Sequence, residues 1–303
     1  MIASMDASAG PFEQVDFEPT RAAGLQRLAA FAPKTGRFYA NQRNYDRGAR
    51  DRGNVSALSP WLRRRAVLEE EVLQATLSEN APATAEKFIQ EVFWRGYFKG
   101  WLEHRPDVWR RYRDAVDELA VRLDDDRSLR KRYDKAVGGA TGIDCLDAWS
   151  HELVETGYLH NHARMWFASI WIFTLQLPWE LGADFFFRHL LDGDPASNTC
   201  SWRWVAGLHT QGKTYLARPD NIRRYTEGRF DGSGALVDEA PALEETPLDP
   251  PRKPAFFGPD KPAGPAGVIV TEEDCHPESL SVAGDIKGGL FLTAATPRSP
   301  MET

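Results

Sequence analysis

The chain has 303 residues, enough for one large domain or two small ones. Its 42% hydrophobic and 27% charged residues exclude a collagen-like, coiled-coil or wholly disordered chain. The 37 basic and 44 acidic side chains leave a net charge of −7, and the longest apolar runs, 165–177 and 183–187, fall short of the ~20 residues a membrane span needs. The first residues show no basic segment followed by an apolar one, so no signal peptide is expected. Cys145, Cys200 and Cys275 lie far apart with no CxxC pair. Neither a disulfide framework nor a metal site is expected, and a reduced, cytoplasmic setting fits. Ten tryptophans are many; residues of this kind pack, stack or carry electrons.

In chain order, 1–38 reads as an opening segment in which a short amphipathic helix ends near Pro33 and Gly36. Residues 39–53 are polar and Arg-rich and read as a loop. Ser59 is a plausible N-cap and Pro60 a good first residue for a helix running through WLRRRAVLEEEVLQATL. A second helix is predicted over 81–103. On it Phe88, Val92, Phe93, Tyr97 and Trp101 form one broad apolar face, and Glu91 and Arg95 stand four apart, where they can meet. Further helices are predicted near 107–123, from Asp144 to about Glu155 with Gly157 as the breaker, over 160–177 up to Pro178, and over 181–191 into a DGD turn. Almost nothing alternates with period two, so the body, 39–235, is all-α. Residues 236–303 hold roughly half of the prolines, with five basic and twelve acidic side chains, which accounts for the whole net charge. That composition marks a linker or disordered tail. Within it GVIV predicts one isolated strand near 267–271, which must dock, pair with another molecule or stay unfolded.

The chemistry-bearing text is concentrated. Tyr158-Leu159-His160-Asn161-His162-Ala163-Arg164-Met165, Asp192-Gly193-Asp194-Pro195-Ala196-Ser197-Asn198 and Trp202-Arg203-Trp204 resemble the helix, DGDxASN turn and WxW of the DNA photolyase and cryptochrome family. Phe88-Ile89-Gln90-Glu91-Val92-Phe93-Trp94-Arg95 resembles its FxxELxWREFY helix, and Val55-Ser56-Ala57-Leu58-Ser59-Pro60 its TSxLSPYL segment. Tyr39 resembles the tyrosine upstream of that segment. The motifs come in the family's order over about 39–206.

The resemblance implies an all-α FAD-binding domain followed by a Pro-rich tail. FAD would be held by Tyr39, Ser56, Leu58, Ser59, Arg95, Asn161, Arg164, Asp192, Asp194 and Asn198. A helix N-terminus suits a pyrophosphate, and Ser56 and Ser59 add hydroxyls there, although Val55 and Ala57 replace more polar residues of the family. Arg164 and Asp192 are expected to pair beside the flavin, with Asp194 on its polar edge and Asn198 facing N5. Glu91, Trp94, Arg95, Asn161 and His162 match positions that face damaged DNA, where a carboxyl can protonate a lesion and an indole can stack on it. Trp202 and Trp179 match the first two tryptophans of an electron relay. The third has no clear match, and Tyr133 or Trp171 are the substitutes considered.

Three departures shape the reading. Many dimer-specific photolyases carry Arg at the position of His162. The stretch after Trp204 differs from the family pattern and is locally basic, with Lys213, Arg218, Arg223 and Arg224 suited to phosphate or to solvent. No strand-rich segment of domain size precedes Tyr39, so the antenna α/β domain of the family is not expected, unless a protein partner supplies it. No Walker, nucleophile-elbow or dinucleotide glycine motif is present. Two functions compete: a light-driven lyase splitting pyrimidine dimers, and a cryptochrome-type blue-light sensor or redox flavoprotein whose acidic tail recruits a partner.

Overall fold

Twelve α-helices and one small sheet are found in the computed structural model, which describes residues 13–232, 236–254, 264–279 and 286–292. The helices are α1 (Arg21–Phe31), α2 (Arg37–Gln42), α3 (Ser59–Arg63), α4 (Glu69–Glu79), α5 (Pro82–Glu103), α6 (Pro106–Asp125), α7 (Arg127–Val137), α8 (Asp144–Thr156), α9 (Asn161–Ser169), α10 (Trp179–His189), α11 (Pro195–Val205) and α12 (Pro219–Tyr225). Local chemistry sets their ends. The Thr20 hydroxyl caps α1, Asp126 accepts from the N–H groups of Ser128 and Leu129 at the start of α7, and prolines open α5, α6, α11 and α12. Gly157 ends α8 in the left-handed region, at φ 65°.

The structure departs from the sequence expectations in several places. The helix expected from Pro60 onward is two helices, α3 and α4. Arg65, between them, sits at φ 53°, which a helix cannot continue through. Ser59 is not the cap of α3; Leu58 holds that place in a helical conformation, and Ser59 lies in the first turn. The loop expected over 39–53 begins as the end of α2. On α5 only Ala85, Phe88 and Val92 are buried. The expected apolar face ends there: Phe93 and Tyr97 are 63% and 48% exposed, and Trp94 beside them is 51% exposed. Helix α9 passes into a π turn, Ile170–Thr174, before Pro178.

Two apolar clusters build the core. The larger gathers Trp149, Trp166, Phe167, Trp171, Phe185, Phe186 and Trp202 from α8 to α11. The smaller gathers Leu28, Phe31, Leu58, Trp61, Val72 and Phe88 from the N-terminal part, with Tyr158 from between α8 and α9. Burial of such side chains stabilises each by about 1.5–3 kcal/mol.

Residues 236–254 carry no helix or strand but lie along the body. Leu236, Val237 and Ala240 pack on the larger cluster, Leu243 N–H donates to the Ala206 carbonyl (3.0 Å), and Arg203 pairs with Glu245. The strand expected as isolated near 267–271 is β1 (Ala266–Thr271), and it has a partner. It pairs in parallel with β2 (Ile286–Leu292), with Val268 opposite Gly289. The rest of the expected tail, 255–263, 280–285 and 293–303, lies outside the described residues, as do the first twelve residues and 233–235. Among the described residues no helix is long and apolar enough to cross a membrane.

Candidate flavin site

The turn between α10 and α11 carries Asp192 and Asp194, both buried. Asp194 caps α11: its Oδ1 accepts from Ser197 N–H at 2.8 Å. The cap fixes the turn, and with it the direction of Asp192. Arg164 of α9 meets Asp192 with both prongs, Nη2–Oδ2 at 2.9 Å and Nη1–Oδ1 at 3.2 Å, while its Nε donates to the Leu159 carbonyl at 3.0 Å. Burial alone would push the Asp192 carboxyl up; Arg164, with a hydrogen bond from Ser59, outweighs it and holds the group below the usual range. Asp192 is therefore a fixed anion at neutral pH. Ser59, expected at a pyrophosphate, is here a support for Asp192.

A second group adjoins the first. Arg95 of α5 lies 3.1 Å from Asp194 Oδ2 through Nη2 and donates through Nε to Glu69 at 3.1 Å. Arg63 at the end of α3, 1% exposed, stands 3.9 Å from the same carboxylate. The Arg95 Nη2 and Asp194 Oδ2 atoms are buried and form an ion pair, yet lack hydrogen-bond alignment and have no hydrogen-bond partner among the described residues. An open donor beside an open acceptor is costly unless a polar ligand completes both.

On α11, Asn198 follows Asp194 by one turn and donates from Nδ2 to the Ala183 carbonyl at 2.7 Å. Trp202 lies one turn further, packed on Phe186 (5.1 Å between ring centroids), Trp171 (6.3 Å) and Phe167 (6.4 Å). Trp171 in turn meets Tyr133 edge-on at 6.1 Å. Trp179 is buried elsewhere: its ring lies on Tyr112 at 5.7 Å, with the Arg203 guanidinium 6.0 Å over it. The aromatic path that leaves Trp202 thus runs through Trp171 towards Tyr133.

The remaining sequence candidates divide. Tyr39 packs edge-on against Phe88 at 5.0 Å, and burial pushes its hydroxyl pKa up. Leu58 is a core residue, and the Ser56 carbonyl accepts from Arg27 Nε at 2.8 Å. Glu91 and Arg95, expected to meet, do not; Glu91 pairs with Arg43, while Arg95 turns to Glu69 and Asp194. Trp94 meets Tyr97 edge-on (5.3 Å) and Phe98 at a tilt (5.9 Å) on the outer face of α5.

Asn161 is exposed at the start of α9. The two histidines hold a loop. His160 Nε2 donates to the Arg43 carbonyl (3.0 Å) and its Nδ1 accepts from His162 N–H (3.1 Å); His162 Nδ1 donates to the Asn44 carbonyl (2.8 Å). Burial lowers both, His160 to about 4, so both are neutral at pH 7. His162 has Trp166 and Tyr225 against its ring. Among the described residues no three His, Cys, Asp or Glu are placed to hold a metal. Sequence reasoning missed Arg63, whose signal was the Arg63–Arg65 triplet just before the α4 acidic run.

Comparisons with known proteins give the family. A family model described as the FAD binding domain of DNA photolyase matches residues 88–252. The deoxyribodipyrimidine photo-lyase of Streptomyces griseus is 31% identical over 198 residues, 61% of this chain and 42% of that protein. A cryptochrome DASH from Idiomarina loihiensis is 27% identical over 243 residues, 77% of this chain and 51% of that protein. The crystal structure of a bacterial class III photolyase from Agrobacterium tumefaciens aligns with a TM-score of 0.55 at 27% identity, covering 69% of this chain and 43% of that one. The fold and site define a helical flavin-binding domain. The chain belongs to the family of the FAD-binding domain of DNA photolyase, and FAD is its cofactor. It spans about half the length of the curated relatives it matches.

The residues fit that group. The open Arg95 Nη2 and Asp194 Oδ2 are a donor and an acceptor of the kind a flavin's amide edge completes, and the Arg164–Asp192 pair supplies a fixed charge beside them.

Proposed function

We propose that this chain uses FAD for light-driven electron transfer, and that its reaction is the repair of pyrimidine dimers in DNA. One observation carries the reading. Ionised Asp192 held by Arg164, the open pair Arg95–Asp194, Asn198 and Trp202 come together from α5, α9 and α11, so a polar anchor and an aromatic exit share one wall. When bound, FAD supplies the light absorption and the electron.

The chain's residues do the rest. Arg164 and Arg95 would place positive charge beside bound FAD, where fixed charge would stabilise added electron density with little reorganisation. Trp202 and Trp171 give electrons a packed route into the body. Trp94, half exposed, gives a stacking surface for an extruded base. Glu91, on the same helix, is the carboxyl for proton transfer. Damaged DNA as partner is supported by the relatives named photo-lyase. A reduced, cytoplasmic setting is supported by three free cysteines. The test is repair: the FAD-loaded chain is illuminated with a dimer-bearing oligonucleotide, and loss of dimers above the dark control is the expected result. Unchanged dimers with intact flavin photochemistry would favour the second reading, a cryptochrome-type sensor, which the pairing of Glu273, from the acidic C-terminal part of the chain, with Arg63 supports.

A further inference from the structure

An acidic loop from the far end of the chain is seated on three consecutive arginines. Glu273 grips Arg63 with both carboxylate oxygens, and Asp274 accepts from Arg65 Nε at 3.0 Å. Ser279 Oγ accepts from Arg65 Nη2 at 3.1 Å, and Cys275 N–H donates to the Arg64 carbonyl at 2.8 Å. These partners are about 210 residues apart in sequence. Beneath Arg63 lie Asp194 at 3.9 Å and the Gly193 carbonyl at 3.4 Å, so the loop covers ground next to the flavin site.

Charge counting shows why the arginines need an anion. Arg63, Arg64, Arg65 and Arg95, with the half-buried Lys99, have Asp194 and Glu69 as body carboxylates, and Asp192, which also feels Arg95, is already paired with Arg164. Burial, and to a lesser degree the neighbouring Arg63, pushes Arg64 down, and burial and Arg95 push Lys99 down, whereas against burial Glu273 with Asp194 holds Arg63 up. Helix packing does not require such a cluster: three adjacent arginines around a left-handed Arg65 repel one another. A forked carboxylate on a guanidinium reproduces the two-oxygen face of a phosphate. Glu273 is also 47% exposed while Arg63 is 1% exposed, so the anion is reachable from solvent although the cation is not.

We propose that the 271–279 loop is an internal stand-in for phosphate: it occupies an anion cleft made by Arg63, Arg64 and Arg65 and yields it to a phosphate-bearing ligand. The ligand chemistry is clustered phosphate oxygens, whether from a nucleic-acid backbone or a free polyphosphate.

The loop carries its own reporter site. Cys145 and Cys200 are buried, with thiol pKa values pushed up to about 12 by burial, and Cys275 is exposed. The full chain, FAD-loaded, is labelled at Cys275 with an environment-sensitive fluorophore and titrated at low salt with inorganic pyrophosphate in one arm and a short undamaged duplex in the other. Undamaged duplex keeps the outcome independent of repair. A signal shift in either arm, reproduced without ligand by raised salt, is expected, and the arm that responds identifies the source of phosphate. The E273Q/D274N variant is expected to show the released signal unaided and to bind the same ligand about tenfold tighter. A probe unmoved by both ligands and by salt, or a variant with parental affinity, would overturn the proposal.

Discussion

Gly182 and Trp202 are a matched pair. A Cβ on Gly182 would stand 2.3 Å from Trp202 Cη2 and 2.6 Å from Cζ3, with Trp171 Cε2 at 2.9 Å. The missing side chain on α10 is the seat of the indole on α11. Neither rigid ring can rotate away, since each is packed on Phe167. Gly182→Ala is therefore expected to destabilise the fold by about 1–3 kcal/mol through overpacking, despite the better helix propensity of alanine. Thermal unfolding reads the loss, and a shift in tryptophan emission reads the displaced ring.

Asp192→Asn removes the fixed anion but keeps the shape. Arg164 is then left with a neutral partner at a site where it is a quarter exposed. The expected cost is about 2 kcal/mol, below that of a fully buried pair. FAD retention after gel filtration is expected to fall at least about tenfold, because the charged wall no longer holds its geometry. Retention equal to the parent would remove Asp192 from the flavin site.

His160 gives the fold a pH dependence with a defined sign. In the fold it is neutral, with its pKa lowered to about 4 by burial, and its Nδ1 must accept the His162 N–H. The unfolded chain takes up that proton near the ordinary value of about 6.5. The contribution of His160 is complete above that value and is lost as pH falls through the window from about 6.5 to about 4. Glu152 works in the opposite sense. Burial, with Asp46 nearby, raises its carboxyl to about 7 against the pull of Arg52. Its contribution is complete below about 4.5 and is lost as pH rises towards 7. Denaturant titrations from pH 4 to 8 should show Glu152→Gln gaining on the parent with rising pH; a constant difference between the two would contradict the assignment.

Trp94 separates function from stability. Half of it faces solvent, on a part of α5 that adds little to the core. Trp94→Ala is expected to change stability by less than about 0.5 kcal/mol and to weaken binding of dimer-bearing DNA about tenfold or more through lost stacking. Equal affinity in a gel-shift titration would place the lesion elsewhere.

Much of the site could be read from the text, because the parts that matter are local. Asp194 capping its own helix follows from the DGDPASN turn itself, and the pair of Asp192 with Arg164, 28 residues earlier on α9, is what the family resemblance implied. The rest depends on partners distant in sequence. Glu91 and Arg95 have helix spacing for a pair, but such a surface pair contributes only about 0.2–0.5 kcal/mol. Arg43 on one side and Asp194 with Glu69 on the other outcompete it. Arg63 reads as one more solvated helix residue until Glu273 covers it. Trp179 and Trp171 are indistinguishable by composition, and only the packing of the π turn after α9 and of α10 against α11 decides which of them touches Trp202.

The most direct test is the visible spectrum of the FAD-loaded chain, in the dark and after blue light with a thiol reductant. The account predicts flavin bands that bleach under light in the parent, persist in Trp202→Phe, and bleach more slowly in Trp171→Phe than in Trp179→Phe. A protein that takes up no FAD, or one whose bands bleach equally well without Trp202, would contradict it.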